Sequence, residues 1–186
     1  PLQLRPGCAL AARSPDRLTS VTARVHLLSL AVASGLLLAL SFPKFGHPAI
    51  AWIALTPLLL ALARAPQRAA FWLGLTTGVV YFAGTVYWTA NVMRVYGGIP
   101  LPVAAGVTGL LVSYLALFPA VFGLMCARFL RAYGVAGLAG APFAWVAVEL
   151  GRTHLFGGFP WVLLGYSQVA VLPVAQAARL ARSGEH

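Results

Sequence analysis

The apolar positions of this chain gather into long blocks separated by short polar turns. A helix needs about 20 predominantly apolar residues to cross a hydrocarbon core of roughly 30 Å. Five blocks approach that length: Val25–Phe42, Ala49–Ala63, Ala69–Met93, Val103–Ala127 and Tyr133–Leu150. Between them lie "FPKFGHP", "RAPQR", "RVYGGIPLP" and "RFLRAYG", rich in the residues that punctuate helices. The second block is short, and Pro48 and Pro57 predict a kink or tilt in it. After Leu150 comes "GRTHLFGGFPW", then an apolar stretch interrupted by Pro173 and stopped by "RLARSGEH". The pattern predicts an all-α fold, a polytopic transmembrane bundle of about five spans with a Gly/Pro/aromatic loop on its outer face. Residues 1–24 read as a polar leader, disordered over 1–20. Residues 25–168 read as the membrane domain, with its outer loop at 151–168. Residues 169–186 read as a truncated or aberrant tail, the mark of a shortened or frame-shifted chain.

Composition strengthens the membrane reading. The chain is 60% hydrophobic and 9% charged, with mean hydropathy +0.85, where a soluble domain carries roughly a quarter charged residues. Asp16, Glu149 and Glu185 face thirteen Arg and Lys. These cations stand singly between apolar runs and form no basic face, so they report topology and not nucleic-acid binding. Arg5, Arg13, Arg17, Arg24, Arg64, Arg68, Arg128 and Arg131 fall on one side of a five-span arrangement, against Lys44, Arg94 and Arg152 on the other. The positive-inside rule then predicts a cytoplasmic N-terminus, and an outer position for "GGFPWVLLGYSQ". No signal-peptide cleavage site followed by a soluble region is present, so the first block is read as an anchor. Cys8 and Cys126 match no disulfide or metal spacing, and His47 and His154 stand too far apart to suggest a metal site. Nothing in the sequence calls for a metal or another cofactor.

Several residues within the apolar blocks carry more information. Gly74 and Gly78 form a Gly-x-x-x-Gly pattern, with Gly84 further along. Small residues let helix backbones approach, and ordinary packing within the bundle is the expected use. Tyr81, Tyr87, Trp88 and Tyr96 crowd the outer half of the third block, either as an aromatic belt or as a lipid-contact wall beside a site. Glu149 is the one acid within or beside a span, and Arg152, one helical turn on, is its natural ion-pair partner. General acid–base work by Glu149 is the alternative, with no His, Cys or Ser placed by sequence to share it. "FPKFGHP" and "GGFPW" share a Phe-Pro core on the same side. Their Gly, Pro and aromatic residues suit an ordered loop dipping into the membrane surface. Non-helical backbone survives at that depth only where protein or a wet cavity covers it.

Four blocks resemble the N-terminal membrane domain of the bacterial apolipoprotein N-acyltransferase family. They are "LSFPKFGHPAIAWIALTPLLL", "GLTTGVVYFAGTVYWTANVMRVYGGIP", "VELGR" and "GGFPWVLLGYSQ", in order between about Val25 and Gln168. The last is the most specific. The resemblance implies an inner-membrane acyltransferase of lipoprotein maturation. Its substrates would be a phospholipid acyl donor and a diacylglyceryl apolipoprotein, and the acyl chain passes to the α-amino group of the N-terminal cysteine. It also implies a ping-pong route through a thioester, with catalytic Cys, Glu and Lys in a nitrilase-like domain beyond the membrane. That domain is absent from this sequence, so no catalytic residue is carried over and this chain alone is expected to be inactive. What carries over is a role for the membrane half in presenting lipid. Phe159, Pro160, Trp161 and Tyr166 are the residues expected to line or shape the lipid-access side, with bracing of the fold as the alternative. A small transporter or channel and a non-catalytic membrane scaffold are the competing functions.

Overall fold

In a computed structural model the described residues, 21–42, 47–155, 158–169, 171–174 and 176, are helical with connecting turns and no strand. The helices are α1 (Val21–Leu40), α2 (Ile50–Ile53), α3 (Thr56–Arg64), α4 (Gln67–Val86), α5 (Trp88–Val95), α6 (Leu101–Tyr133) and α7 (Ala141–His154). Gly134–Gly140 forms a 3-10 connection between α6 and α7, and Leu164–Gln168 another 3-10 segment near the end. Three helical stretches are long and apolar enough to cross a membrane: Val21–Leu40, Gln67–Val86, and the continuous run Leu101–His154. That last run folds back on itself, because Phe122 stacks edge-on against Trp145 and the Tyr114 hydroxyl reaches Leu155 O.

The neighbours along each helix give the order of the bundle. Thr77 Oγ1 donates to Ala31 O, and a Cβ on Gly84 would meet Ala39, so α1 and α4 run parallel. A Cβ on Gly123 would meet Ala70, one on Gly74 would meet Pro119, and one on Gly78 would meet Ala116. Helix α4 therefore lies antiparallel to α6, in backbone contact along three turns. The Gly-x-x-x-Gly pair works here as intrachain packing, the close approach that small residues permit when water supplies no driving force. Buried Ser34 donates to Ala54 O at 2.6 Å, tying α1 to the end of α2.

Element ends depart from the expected blocks in instructive ways. Val21–Arg24, read from the sequence as the end of the leader, are helical within α1; residues 1–20 lie outside the described set. The second block divides at Ala54 and Leu55, and Pro57 takes the first turn of α3, where its missing N–H costs nothing. The third divides at Tyr87 with no Gly or Pro to announce it. Helix α6 runs to Tyr133, past Arg128 and Arg131, because arginine propagates a helix well and its charged end can reach for water. Residues 151–154 are the last turn of α7 and not loop. Of the tail, Val169, Val171–Val174 and Gln176 are described, with a hydrogen bond from Val174 N to Val171 O.

Candidate functional site: a loop fastened to three helices

Where α7 ends, the chain must leave the helix without stranding its last carbonyls. Gly158, at φ +75°, turns the backbone, and Phe159 N donates to Arg152 O at 3.0 Å. A Cβ on Gly158 would fall 2.2 Å from Thr153 O. Gly158→Ala combines that clash with an unfavourable φ. It is expected to lower stability by about 1–3 kcal/mol, read as a lower midpoint of thermal unfolding in detergent.

Beyond Gly158 the loop is gripped by buried side chains. Arg152 is 2% exposed, and its guanidinium donates Nη1 to Trp161 O at 2.9 Å and Nη2 to Val162 O at 3.1 Å. Its charge also lies 5.2 Å over the Phe82 ring and 3.8 Å from Glu149 Oε1. The shorter Glu149 contact is with the loop: Oε1 accepts from Leu164 N at 2.7 Å. Tyr81, 1% exposed, donates its hydroxyl to the same Val162 carbonyl at 2.8 Å. Successive carbonyls alternate in direction along an extended strand, yet here two in a row face one guanidinium. The left-handed backbone at Val162, φ +58°, permits this. For a β-branched residue that conformation is an outlier, sustained only where surrounding bonds over-determine it.

The far end of the loop is fastened as well. Ser167 is buried and donates to Leu164 O, closing the 3-10 segment. Gln168 Nε2 donates to Pro48 O at 2.8 Å, and Trp52 Nε1 donates to Gln168 Oε1 at 3.2 Å. The loop is thus tied to α7 through Glu149 and Arg152, to α4 through Tyr81, and to the start of α2 through Gln168. Such satisfaction of polar backbone is what allows non-helical chain near membrane depth.

The four residues singled out for lipid access sit differently from one another. Phe159 is half-buried against the core, whereas Pro160, Trp161 at 60% and Tyr166 at 51% are exposed. Trp161 faces Trp88, ring centroids 6.2 Å apart. Beside them a cleft of about 150 Å3 is lined by Ala39, Phe42, Gly84, Thr85, Trp88 and Val162, among others. Of the aromatic group in the third block, Tyr87, Trp88 and Tyr96 are exposed but Tyr81 is core. An aromatic belt does not describe Tyr81: its hydroxyl is needed inside, on the loop. Pro43, Lys44 and Gly157 lie outside the described residues, and so does Cys8. Cys126 is buried toward the other end of α6. His47 accepts from Ala49 N, and His154 pairs with Leu150 O and Thr153, so each is engaged locally.

Sequence reasoning placed Glu149 beside Arg152 but missed their shared task of holding loop backbone. It also missed Tyr81 and the pairing of Gln168 with Pro48 and Trp52. A tyrosine in the middle of "GVVYFAG" was the one available signal, since a buried hydroxyl has to find a partner.

This is a helical membrane-protein domain whose distinctive feature is an ordered, hydrogen-bonded loop at one end of the bundle. The family model for the apolipoprotein N-acyltransferase N-terminal domain matches residues 34–181. Apolipoprotein N-acyltransferase of Geobacter metallireducens is 46% identical over 166 residues, covering 89% of this chain and 31% of that protein. The Methylococcus capsulatus protein of the same name is 40% identical over 144 residues, 75% of this chain and 28% of its own length. That of Chromobacterium violaceum is 34% identical over 166 residues, 87% and 32% respectively. The chain belongs to the apolipoprotein N-acyltransferase family, and it spans about 30% of the length of these curated relatives.

Proposed function

We propose that this chain is the lipid-presenting membrane half of an apolipoprotein N-acyltransferase. In this reading, it lies as a multi-pass bundle in the bacterial inner membrane, N-terminus cytoplasmic, with the Gly158–Gln168 loop at the outer face. The acyl donor is a membrane phospholipid and the acceptor the α-amino group of a diacylglyceryl apolipoprotein. The observation that carries the proposal is the fastened loop, which holds Trp161 exposed next to the cleft between Phe42, Trp88 and Val162. An apolar, aromatic-edged cleft beside rigid backbone suits an acyl chain that must be oriented but not chemically altered. The chemistry of transfer is assigned to none of the described residues. Charge supports the orientation: Arg24, Arg64, Arg68, Arg128 and Arg131 belong to the end away from the loop, with only Arg94 and Arg152 at the loop end among the described residues. Family membership removes the ground for a transporter or channel reading.

Trp161→Ala tests the access role in a full-length enzyme carrying this domain. Loss of one aromatic contact worth about 0.5–1.5 kcal/mol should slow apolipoprotein N-acylation by roughly two- to tenfold, followed by mass spectrometry of the lipoprotein N-terminus during depletion of the native enzyme. Unchanged acylation at equal protein levels would remove Trp161 from the substrate path.

A further inference from the structure

The end of the bundle away from the loop has features that substrate presentation does not use. Gln67, which opens α4, and Arg128, Arg131 and Ala132 on the last turns of α6 line a cleft of about 290 Å3. Arg64 and Arg68 lie next to it in sequence on either side of the tight α3–α4 connection, and both are exposed. Glu149, the one acid among the described residues, packs with Phe118 and Pro119, on the order of 15 Å back along α6 from Arg128. The four arginines therefore have no carboxylate partner among the described residues. Helix α4 also begins there without a side-chain cap, so its positive end adds to the same field.

A second cleft distinguishes a lipid from a free anion. About 100° around α6, Phe129 and Tyr133 form an apolar cleft of about 340 Å3 with Ala136, Gly137 and Gly140 of the 3-10 connection. Gly137 and Gly140 hold that connection tight against Phe129, where a Cβ would meet its carbonyl and its ring. A basic cleft and an apolar cleft thus share one helix end, the pairing an amphipathic phosphate ester requires. Guanidinium groups engage phosphate oxygens through two parallel hydrogen bonds, which an ammonium cannot do.

We propose that this end of the bundle binds an anionic glycerophospholipid of the adjacent leaflet, its phosphate between Arg128, Arg131 and Gln67 and an acyl chain along Phe129 and Tyr133. The site is independent of the acyl-transfer reading, because it lies at the opposite end from the loop. The test uses the full chain in detergent micelles with phosphatidylglycerol or phosphatidylcholine, lipid retention being read by native mass spectrometry. Phosphatidylglycerol should be retained in preference to phosphatidylcholine, and less so as salt rises. Arg128→Gln/Arg131→Gln should lose that preference by on the order of tenfold, whereas Arg94→Gln, at the loop end, should keep it. Arg131→Gln alone should move it in the same direction, which covers the case of a double variant that does not fold. An unchanged preference in a helical double variant would overturn the proposal. So would an equal loss in Arg94→Gln, or displacement of the lipid by millimolar inorganic phosphate, which would make the ligand a small anion.

Discussion

Replacing Arg152 with methionine is expected to cost about 3–5 kcal/mol and to free the loop that follows α7. The guanidinium is the shared partner of Trp161 O, Val162 O and Glu149. Methionine fills similar space but takes the donor from Trp161 O, leaves Val162 O to Tyr81 alone, and leaves a carboxylate without its counter-charge. An orphaned charge in a low-dielectric site is worse than no pair at all. The result should appear as a lower unfolding midpoint in detergent and as new protease cleavage between residues 158 and 168. The double variant Glu149→Gln/Arg152→Met separates causes. If the penalty comes from the stranded carboxylate, the double variant recovers part of the loss. If the carbonyl grip dominates, it recovers none, because Arg152 is still missing from Trp161 and Val162. An Arg152→Met protein with wild-type midpoint and an intact loop would mean that the guanidinium fastens nothing.

Gly74→Leu should be the most damaging change at the contacts between helices. Even a methyl at Gly74 would stand 2.3 Å from Pro119 O and 2.8 Å from Ala120 Cα, both backbone atoms that no rotamer change can move. Pro119 itself leaves a carbonyl one turn back, Leu115 O, without its usual helical donor and sits buried at this crossing. Leucine would force α4 and α6 apart and undo the contacts of Gly78 and Gly123 on either side. Overpacking of this kind costs about 1–3 kcal/mol or more, and in a bundle without hydrophobic drive little compensates. Poor recovery of folded protein and a collapsed unfolding transition are the expected readouts. Gly106→Leu is the control, because nothing lies within 4 Å of a Cβ there. Equal behaviour of the two variants would refute close packing at Gly74.

How much of this was legible depends on the range of the interactions. The helices were readable because a membrane segment announces itself by local composition, and Pro57 and the Gly-rich turns marked several of their ends. Within one helical turn, Glu149 and Arg152 could be paired from spacing alone. Spacing could not show that both side chains point onward to residues 161, 162 and 164, since that depends on where the loop returns. The exposure of Trp161 and the burial of Tyr81 were equally hidden: both are aromatics at one end of the bundle, and only packing tells them apart. The break at Tyr87 has no compositional signal. The extension of α6 through Arg128 and Arg131 was obscured because hydropathy drops before helicity does.

The bonds from Gln168 to Pro48 and Trp52 span 120 and 116 residues. A ribosome releases those partners far apart in time, and contacts of such separation are the slow ones to form. Glu149, Arg152 and Tyr81 must also be seated before Val162 can hold its left-handed turn. The loop is therefore expected to close last. Its closure records that α2, α4 and α7 have all arrived, so a protease probe directed at residues 158–168 during synthesis would read out completed assembly of the bundle itself.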